Sequence, residues 1–489
     1  MNVLFATSEA APLAKTGGLA DVTGALPKAL NKRGCDVRVI LPKYEEIPGE
    51  LLQHFELLAE FQVYFGWRSQ YCGLWKGKIG EVIYYLVDNE FYFKRRGLYG
   101  YGDDAERFVF FCFAVMEAAR HMDFRPQVLH AHDWQTGLIP FLLRTRHAFD
   151  PAWAYVKSVF TIHNLKYQGI FGLDLIKELT GAGDDLFQQG MEGLEFYGAA
   201  SCMKGGLQYA DKLTTVSPTY AEEIQTPYYG EGLDSLLRCR GWDLTGIING
   251  IDLDEFDPMK DDSLHTPYRG SLSRKRKNKV DLQREMGLTE DSSIPMIGIV
   301  SRLVEQKGFD LIAATLDELM QDDVQLVVLG TGEARYEELF WRAAEKYPEK
   351  AAFWHGYSDR MARRIYAGSD MFAMPSKFEP CGLSQLLSLR YATVPIVRET
   401  GGLRDTVFSY NEYTGEGNGF SFTNYNAHDY LNTVRRALSF YRDEEVWKRI
   451  VDNGARRDIS WNASAKAYMD LYTNLAAYRK ENEPWPVIS

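Results

Sequence analysis

The chain has 489 residues, which is more than a single hydrophobic core usually serves, so two or three domains are expected. Apolar residues make up 45% and charged residues 25%, a balance that excludes a largely disordered chain. The net charge of −12 argues against nucleic acid or an anionic membrane as a partner. An anionic substrate would therefore need cations placed locally.

The cysteines and the first residues indicate the compartment. The six cysteines are scattered without a C-x-x-C pair, which is typical of a reducing compartment and excludes a zinc ribbon or disulfide framework. The opening M-N-V-L-F-A-T-S-E lacks the basic and long apolar regions of a signal peptide. The longest apolar run, Val109–Met116, is too short to cross a bilayer. The sequence predicts a cytoplasmic protein.

In the first half, β-branched and aromatic runs alternate with segments of helical spacing. The predicted strands are Asn2–Thr7, Asp36–Leu41, Val82–Val87, Gln127–His132, Ser158–His163 and Lys212–Val216. The predicted helices are 19–30, which Pro27 should bend or interrupt, Arg107–Met122 and Trp134–Arg146.

In the second half the alternation restarts. The predicted strands are Met296–Val300, Gln325–Leu329, Met371–Met374 and Val394–Val397, and the predicted helices are Asp310–Met320, Glu333–Tyr347, Asp359–Ala367, Leu383–Tyr391 and Asp429–Arg442. This pattern predicts an α/β protein with one doubly wound parallel sheet in each half. The join is expected near Gly246–Asp252, before a basic run, Ser273–Lys279, that is interpreted as a solvated helix start. Ligands of such sheets bind at the carboxyl ends of the strands, so we expect the two domains to face each other across a cleft.

One short motif occurs in both halves. It is K-T-G-G-L-A-D-V at Lys15–Val22 and E-T-G-G-L-R-D-T-V at Glu399–Val407. Paired glycines permit φ > 0 and allow backbone N–H groups to approach a ligand. A helix that begins behind them favours an anion such as a phosphate. The alternative is a plain turn between a strand and a helix.

Several polar side chains follow predicted strands. H-A-H-D-W (His130–Trp134) could ligate a metal, but no clear third ligand accompanies the two histidines. F-T-I-H-N-L places His163 at a strand end, where it is either catalytic or a satisfied structural histidine. The short D-L-D motif at Asp252–Asp254 suggests a metal-bound nucleotide sugar but is not specific.

Two further loops carry charge. V-S-R-L-V-E-Q-K-G delivers Arg302 and Lys307, which suit a diphosphate, with a surface ion pair as the alternative. P-S-K-F-E-P-C-G-L-S (Pro375–Ser384) follows a strand, opens a helix and presents Glu379.

Taken in order, K-T-G-G-L-A-D-V, H-A-H-D-W, H-N-L-x-Y-Q-G, V-S-R-L-x-x-Q-K-G, S-K-F-E-P-C-G-L and T-G-G-L-x-D-T resemble the bacterial glycogen synthase family from Met1 to about Tyr472. The resemblance implies a retaining glycosyltransferase of the GT-B fold. Such an enzyme transfers glucose from ADP-glucose to the 4-hydroxyl at the non-reducing end of an α-1,4-glucan, without metal or other cofactor. It implies an acceptor-side domain at 1–246, a donor-side domain at 247–461 and a C-terminal helix at 462–489 that crosses back to the first domain.

The resemblance also implies site residues. Those with implied catalytic roles are Lys15, His163, Arg302, Lys307 and Glu379. Those implied to bind the donor are Lys15, Gly17, Gly18, Asp21, Asn249, Arg302, Lys307, Tyr357 (over the adenine), Glu379, Cys381, Gly382, Leu383 and Ser384. Those implied to line the sugar or acceptor pocket are Tyr99, Asp133, His163 and Asn164.

The sequence departs from the family pattern at Lys94 and Arg96, which add charge near Tyr99, and it carries Leu387 where many related enzymes have a second glutamate. Three alternatives stay open at this point. A retaining GT-B transferase that uses UDP-glucose would share most of these motifs. A non-catalytic glucan-binding protein would share the aromatic content but not the phosphate-facing cations. A nucleotide-dependent dehydrogenase would need a strand leading into G-x-G-x-x-G, which is missing from the sequence.

Overall fold

The computed structural model describes residues 1–187 and 193–482, which divide into two compact units. The first unit comprises Met1–Asn249 and the chain from Trp461, and the second comprises Gly250–Ser460. The sequence placed the domain boundaries after residues 246 and 461. Residues 483–489 of the predicted C-terminal segment lie outside the described residues.

The first unit is built on a large, mostly parallel sheet. Within the described residues its nine strands follow the order β12-β11-β7-β6-β1-β2-β5-β4-β3, and a small antiparallel sheet has the order β8-β10-β9. The strands are β1 Asn2–Ala6, β2 Asp36–Pro42, β3 Phe55–Phe65, β4 Arg68–Ile79, β5 Val82–Asp88, β6 Val128–His132, β7 Lys157–Ile162, β8 Ile170–Gly172, β9 Glu195–Phe196, β10 Ala199–Ser201, β11 Lys212–Thr215 and β12 Leu244–Gly246.

Strand β1 lies at the centre, paired in parallel with β2 (Val3 opposite Val37) and with β6 (Val3 opposite Val128). All six strands predicted in this half are confirmed, with ends that differ by one residue. The antiparallel pair β3–β4 at the sheet edge was not predicted. Its strands carry mixed polar and apolar residues because much of β3 is exposed, so the continuous apolar signal of a buried strand is missing.

Along the chain, the helices of Met1–Asn249 lie between the strands of the first unit. They are α1 Gly18–Asn31, α2 Gly49–Leu52, α3 Glu90–Phe93, α4 Asp104–His121, α5 Leu138–Arg144, α6 Leu173–Thr180, α7 Cys202–Tyr209, α8 Pro218–Glu223 and α9 Asp234–Cys239. Pro27 lies inside α1 without interrupting it, so of the predicted bend or interruption the interruption is wrong. The helix predicted at Trp134–Arg146 is a 3₁₀ turn, Trp134–Thr136, followed by α5.

The second unit has a fully parallel sheet with the order β15-β14-β13-β16-β17-β18. Its strands are β13 Met296–Val300, β14 Gln325–Gly330, β15 Ala351–His355, β16 Met371–Met374, β17 Val394–Arg398 and β18 Phe420–Phe422. Its helices are α10 Leu272–Met286, α11 Phe309–Leu319, α12 Ala334–Lys346, α13 Asp359–Gly368, α14 Ser384–Arg390, α15 Gly401–Thr406, α16 Ala427–Tyr441 and α17 Glu444–Ala455. The order reverses between β13 and β16, and ligands of such sheets bind at that point.

The basic run in α10 is not simply solvated. Lys275 and Lys279 are buried, since their four-residue spacing puts them on one helical face. The Lys275 Nζ donates to the carbonyl oxygens of Ala367 (2.8 Å) and Tyr391 (3.0 Å), close to the C-terminal ends of α13 and α14. Lys279 pairs with Asp370 at 2.7 Å. Lys275 therefore satisfies buried carbonyl oxygens and Lys279 pairs with a buried carboxylate, so the prediction of a solvated helix start is wrong for both.

The last helix, α18, spans Trp461–Asn482 and belongs to the first unit. The Arg33 guanidinium donates to the Asn462 carbonyl oxygen at 3.0 Å, and Tyr472 is fully buried. Across residues 1–187 and 193–482, none of the helices combines the length and apolar character needed to span a membrane.

Candidate active site

The first T-G-G-L turn is held by a carboxylate that the sequence did not single out. Glu9 follows β1 and is 4% exposed. It accepts hydrogen bonds from the Thr16 hydroxyl (2.6 Å), from the N–H groups of Thr16 and Gly17 (the latter at 3.2 Å), and from the Tyr99 hydroxyl (2.7 Å). The Gly17 N–H, which the sequence assigned to a ligand, therefore donates to the chain itself. Glu9 fixes the turn that precedes α1.

Lys15 and Asp21, both predicted to contact the donor, lie side by side. The Lys15 Nζ is 2.6 Å from Asp21 Oδ1, and the two side chains are 43% and 30% exposed. Asp21 lies in the first turn of α1, where a negative charge is favourable. The ammonium group is thus held near the N-terminus of α1 while it stays accessible to solvent.

The loop Phe93–Tyr99 is fixed at both ends by a buried arginine on α4. Arg107 donates to the carbonyl oxygens of Tyr92 (2.8 Å) and Leu98 (3.2 Å), and Asp104 neutralises its charge. Tyr99, the predicted site residue of this loop, also shares a hydrogen bond with Ser8 at 2.8 Å. Burial raises the pKa of the Tyr99 hydroxyl well above its ordinary value, so the group stays a neutral donor.

Three histidines gather at the carboxyl ends of β6 and β7. The rings of His130 and His132 stack with centroids 4.2 Å apart, and His132 Nδ1 is 3.0 Å from His163 Nε2. His130 is bonded on both nitrogens, to the Tyr472 hydroxyl at 2.7 Å and to Thr161 Oγ1 at 2.6 Å. Burial lowers the pKa of His163 to about 3, so this predicted catalytic residue is uncharged at neutral pH.

Asp133 is strained and electrostatically unusual. Its backbone has φ 59° and ψ −179°, a region used almost only by glycine, at a cost of about 1–3 kcal/mol. Its Oδ1 accepts the His163 N–H at 2.7 Å. Burial raises the pKa of its carboxyl to about 7, and the charge of Glu9 contributes to the same shift. Strain and a shifted pKa together are typical of a functional site.

In the second unit, Lys307 and Glu379 form a shielded ion pair. The Lys307 Nζ is 2.6 Å from Glu379 Oε2, and the two side chains are 19% and 8% exposed. Ser376 donates to the same oxygen at 3.1 Å. Both loops follow the central strands β13 and β16, so the pair lies where the strand order reverses. Arg302 is exposed and forms no ion pair with any described residue.

A small cavity of about 30 Å³ opens beside this pair. Its lining includes Ser301, Lys307, Met374, Ser376 and Ser384, which come from the carboxyl ends of β13 and β16 and from the start of α14. The Ser384 hydroxyl accepts a hydrogen bond from Tyr366 at 3.0 Å. The predicted donor residues Lys307 and Ser384 thus face the same space.

The loop Glu379–Leu383 is supported from below by Gln385, which the sequence did not indicate. The Gln385 Nε2 donates to the carbonyl oxygens of Cys381 and Gly382, both at 3.0 Å. Gly382 has φ 74°, and a Cβ there would lie 2.4 Å from Gln385 Oε1. Cys381 is buried, while Gly382, Leu383 and Ser384 are half-buried. Gln385 therefore holds the backbone of this loop, which lies between two residues that line the cavity, Ser376 and Ser384.

The second T-G-G-L turn packs against this loop. Gly402 N–H donates to the carbonyl oxygens of Glu379 (3.2 Å) and Pro380 (3.1 Å). A Cβ on Gly401, which has φ 46°, would lie 2.0 Å from the Glu379 carbonyl oxygen. These glycines therefore allow a close approach of the chain to itself.

The predicted site residues thus fall into local groups. In the first unit the structure joins Lys15 to Asp21, and Asp133 to His163 and, at 3.5 Å, to the Asn164 N–H. Asn249 is 5% exposed, and its Oδ1 has no partner among the described residues. In the second unit Lys307 meets Glu379, whereas Tyr357 is 70% exposed.

The residues that sequence reasoning missed are supporting ones, such as Glu9 and Gln385. Each lies within a few residues of a motif, but its role depends on where the chain folds back. A search of the described residues finds no group of three or more histidine, cysteine or acidic side chains arranged to hold a metal ion.

Comparison with known proteins identifies the family. The family described as "Starch synthase catalytic domain" matches residues 2–239, and "Glycosyl transferases group 1" matches residues 287–457. A glycogen synthase of Clostridium novyi (strain NT) is 54% identical over 477 residues, which cover 97% of this chain and 99% of that relative. A glycogen synthase of Desulforamulus reducens is 52% identical over 476 residues, with coverage of 97% and 99%. The chain belongs to the glycogen synthase family.

Solved structures agree with this assignment. The catalytic domain of starch synthase IV from Arabidopsis thaliana, bound to ADP and acarbose, matches with a TM-score of 0.90 at 32% identity, over 97% of this chain and 99% of that one. A sucrose-phosphate synthase from Thermosynechococcus elongatus matches with a TM-score of 0.61 at 16% identity, over 98% and 99%, which shows the fold alone. This glycogen synthase-family chain is a glycosyltransferase with the GT-B fold, and both predictions are confirmed.

Proposed function

We propose that this chain transfers glucose from ADP-glucose to the 4-hydroxyl at the non-reducing end of an α-1,4-glucan, with retention of configuration. The observation that carries the proposal is the Lys307–Glu379 pair beside the cavity at the reversal point of the second sheet. The names of the relatives and the ADP in the Arabidopsis structure support it. The acceptor would be glycogen or a maltooligosaccharide.

Charge development on the donor explains these residue types. Breaking the bond between the anomeric carbon and the phosphate oxygen leaves negative charge on the diphosphate. Arg302 is exposed on the loop after β13, and Lys307 lies on the same loop. Fixed cations at the leaving group stabilise the transition state more than the ground state. In this proposal Arg302 donates bidentate hydrogen bonds to the diphosphate, and Lys307 acts as a point charge.

Glu379 would bind the glucose of the donor. Its Oε2 is engaged by Lys307 and Ser376, whereas its Oε1 accepts no hydrogen bond from the described residues. With Oε2 engaged in this way, Oε1 can accept hydrogen bonds from sugar hydroxyl groups. Cys381, Gly382, Leu383 and Ser384 would complete the sugar and phosphate contacts, and Tyr357 would stack on the adenine.

On the first unit, Lys15 and the start of α1 would contact the phosphate or sugar of the donor. Gly17 and Gly18 are exposed, and the Gly18 N–H donates to none of the described residues. A Cβ on Gly17 would meet no atom within 4 Å, so a ligand can approach closely. The positive end of α1 adds to the attraction for phosphate. Asp21 and Asn249 would line the same donor.

The acceptor glucan would meet Tyr99, Asp133, His163 and Asn164. All of these belong to loops that follow strands of the first sheet or, for Tyr99, to the loop that Arg107 fixes. We also place the protein in the cytoplasm, because all six cysteines are free thiols, as a reducing compartment favours.

No metal ion is needed in this proposal, because Lys15, Arg302 and Lys307 supply the positive charge. We therefore expect full activity in excess chelator. Activity that disappears with chelator and returns with Mg²⁺ or Mn²⁺ would contradict a metal-free mechanism and would revive the Asp252–Asp254 interpretation.

The decisive experiment is a comparison of the two sugar donors. The protein is incubated with glycogen and either ADP-glucose or UDP-glucose, and nucleotide release is measured alongside the anomeric proton signals of the new linkages. We expect ADP release with new α-1,4 linkages. Faster turnover with UDP-glucose would overturn the donor assignment, and binding of glycogen without release of either nucleotide would overturn the enzymatic proposal.

A further inference from the structure

The hydrogen bond between His132 and His163 restricts which ring nitrogen of His163 carries the proton. His132 Nδ1 and His163 Nε2 lie 3.0 Å apart, so one ring must donate and the other must accept. The other nitrogen of His132, Nε2, is buried and has no hydrogen-bond partner among the described residues. The other nitrogen of His163, Nδ1, bonds to none of the described residues, and His163 keeps 9% of its surface exposed.

Both rings are neutral. Burial lowers the pKa of His163 to about 3 and that of His132 well below its ordinary value, and the neighbouring histidines lower the pKa of His132 further. Each ring therefore carries a single N–H, and two arrangements are possible. Either His132 donates from Nδ1 to His163 Nε2, or His163 donates from Nε2 to His132 Nδ1.

The two arrangements differ in what they leave buried at His132 Nε2. If His163 donated, the proton of His132 would lie on the buried Nε2, which has no partner among the described residues. The His132 ring packs against the rings of Phe5 (centroids 4.8 Å apart) and His130 (4.2 Å). A buried N–H without an acceptor is rarer in native structures than a buried acceptor without a donor. If His132 donates, Nε2 keeps only a lone pair. The arrangement in which His132 donates therefore costs less free energy.

We propose that His132 is a positioning residue that holds His163 in the tautomer with its proton on Nδ1. His163 then presents a fixed N–H donor on its exposed side and cannot act there as a base. Its partner would be a hydroxyl oxygen of a sugar or an oxygen of the donor phosphate, and this identity of the partner rests on the proposed function. His130 does not take part, because both of its nitrogens are engaged by Tyr472 and Thr161.

The test is nitrogen NMR of the full-length protein with ¹⁵N-labelled histidine, combined with kinetics of nucleotide release. The variants are His132→Asn, whose amide nitrogen can take the place of Nδ1 as a donor, and His132→Leu, which removes it. His130→Gln is the matched control, a neighbouring buried histidine with no bond to His163. We expect wild type, His132→Asn and His130→Gln to show the His163 proton on Nδ1.

For His132→Leu we expect a mixture of His163 tautomers and a kcat lowered about tenfold or more, with a smaller change in KM, since a donor to the reacting centre is lost. His132→Asn should keep kcat within about threefold of wild type. A His163 proton on Nε2 in the wild-type protein would overturn the proposal, as would a folded His132→Leu with unchanged tautomer and kcat. If His132→Leu does not fold, the wild-type spectrum and His132→Asn still decide. A proton on Nδ1 in a protein that releases no nucleotide would leave this proposal standing while the proposed function fails.

Discussion

The chain carries T-G-G-L twice, and the two copies are used in opposite ways. Both copies begin a helix, α1 at Gly18 and α15 at Gly401. In the first copy the residues Lys15–Gly18 are exposed, and a Cβ on Gly17 would meet no atom within 4 Å. In the second copy Thr400–Leu403 is buried, and a Cβ on Gly401 would lie 2.0 Å from the Glu379 carbonyl oxygen. One copy leaves its backbone open, and the other is covered by the loop that carries Glu379.

The difference shows that a glycine pair allows another group to come close to its backbone, but does not specify which group that is. At the first turn the space around Gly17 is open to solvent, and hydrogen bonds to Glu9 hold the turn in place. At the second turn the space is filled by the chain itself. The same four letters therefore form an accessible turn in one half, for which we propose a ligand contact, and a structural support in the other.

The largest expected effect comes from adding one methyl group to the second turn. Gly401→Ala forces a Cβ against the Glu379 carbonyl oxygen at a positive φ, so we expect a loss of about 2–4 kcal/mol in stability and an activity at least about a hundredfold lower. Gly17→Ala, the matched change in the open turn, should leave stability within about 0.5 kcal/mol of wild type. Thermal unfolding and nucleotide release measure both. Equal destabilisation by the two substitutions would break the comparison.

The next effect concerns charge at the open turn. Lys15→Gln removes the ammonium but leaves the turn and its bonds to Glu9 in place, so we expect kcat/KM to fall about a hundredfold with an unchanged unfolding midpoint. Lys32→Gln, at the far end of α1, is the control and should behave as wild type. Turnover near the wild-type value in a folded Lys15→Gln protein would remove this lysine from the donor site.

A smaller effect is expected from loosening the same turn. In Glu9→Gln an amide replaces the carboxylate that accepts from Thr16, Gly17 and Tyr99. Because the amide NH₂ group cannot accept, at least one of these N–H or hydroxyl groups loses its hydrogen bond. We expect a fall of about tenfold in kcat, since a charged hydrogen-bond acceptor contributes about 1.5–3 kcal/mol. Glu50→Gln, on the exposed face of α2, is the surface control. Steady-state kinetics with unchanged values for Glu9→Gln would show that the turn does not depend on Glu9.

The smallest effect concerns pH and Asp133. Its pKa of about 7 in the folded protein lies above the value of about 3.9 in an unfolded chain. The folded state therefore binds more protons between those values, and this residue makes the protein less stable as pH rises from about 4 to 7. Asp133→Asn cannot ionise, and because Asn has nearly the same size and shape as Asp, the backbone strain at this position should be similar in both proteins.

We therefore expect the unfolding free energy of Asp133→Asn, relative to wild type, to increase by about 1 kcal/mol or more between pH 5 and pH 8. Denaturant titrations at the two pH values measure the difference. A constant difference across this range would show that the Asp133 carboxyl ionises normally in the folded protein.

Sequence reasoning succeeded where one local pattern determines the result. Met296–Val300 and Met371–Met374 are strands with the predicted ends, because runs of buried apolar residues between turns have few other solutions. The sequence also places Lys307 and Glu379 directly after two strands of one parallel sheet, and the structure joins them where the strand order reverses. Their contact with the donor stays a prediction.

Sequence reasoning failed where a residue's contact partner is distant in the sequence. Lys275 looks like a surface cation until the carbonyl oxygens of Ala367 and Tyr391 are brought to it from residues about a hundred positions away. The support of the Glu379 loop by Gly401 depends on two segments whose mutual approach no local pattern specifies. Such pairings are set by the packing of the whole unit, so they become visible only in the folded structure.

Amide hydrogen exchange tests the contrast between the two turns most directly. Peptides that cover residues 15–19 and 400–404 are followed by mass spectrometry in the wild-type protein, without ligand and with saturating ADP. The buried second turn should exchange slowly in both conditions. The exposed first turn, although Glu9 holds the N–H groups of Thr16 and Gly17, should exchange faster than the second turn without ligand and slow down when ADP binds. Rapid exchange at 400–404 without ligand, or no change at 15–19 with ADP bound, would contradict the different roles assigned to the two turns.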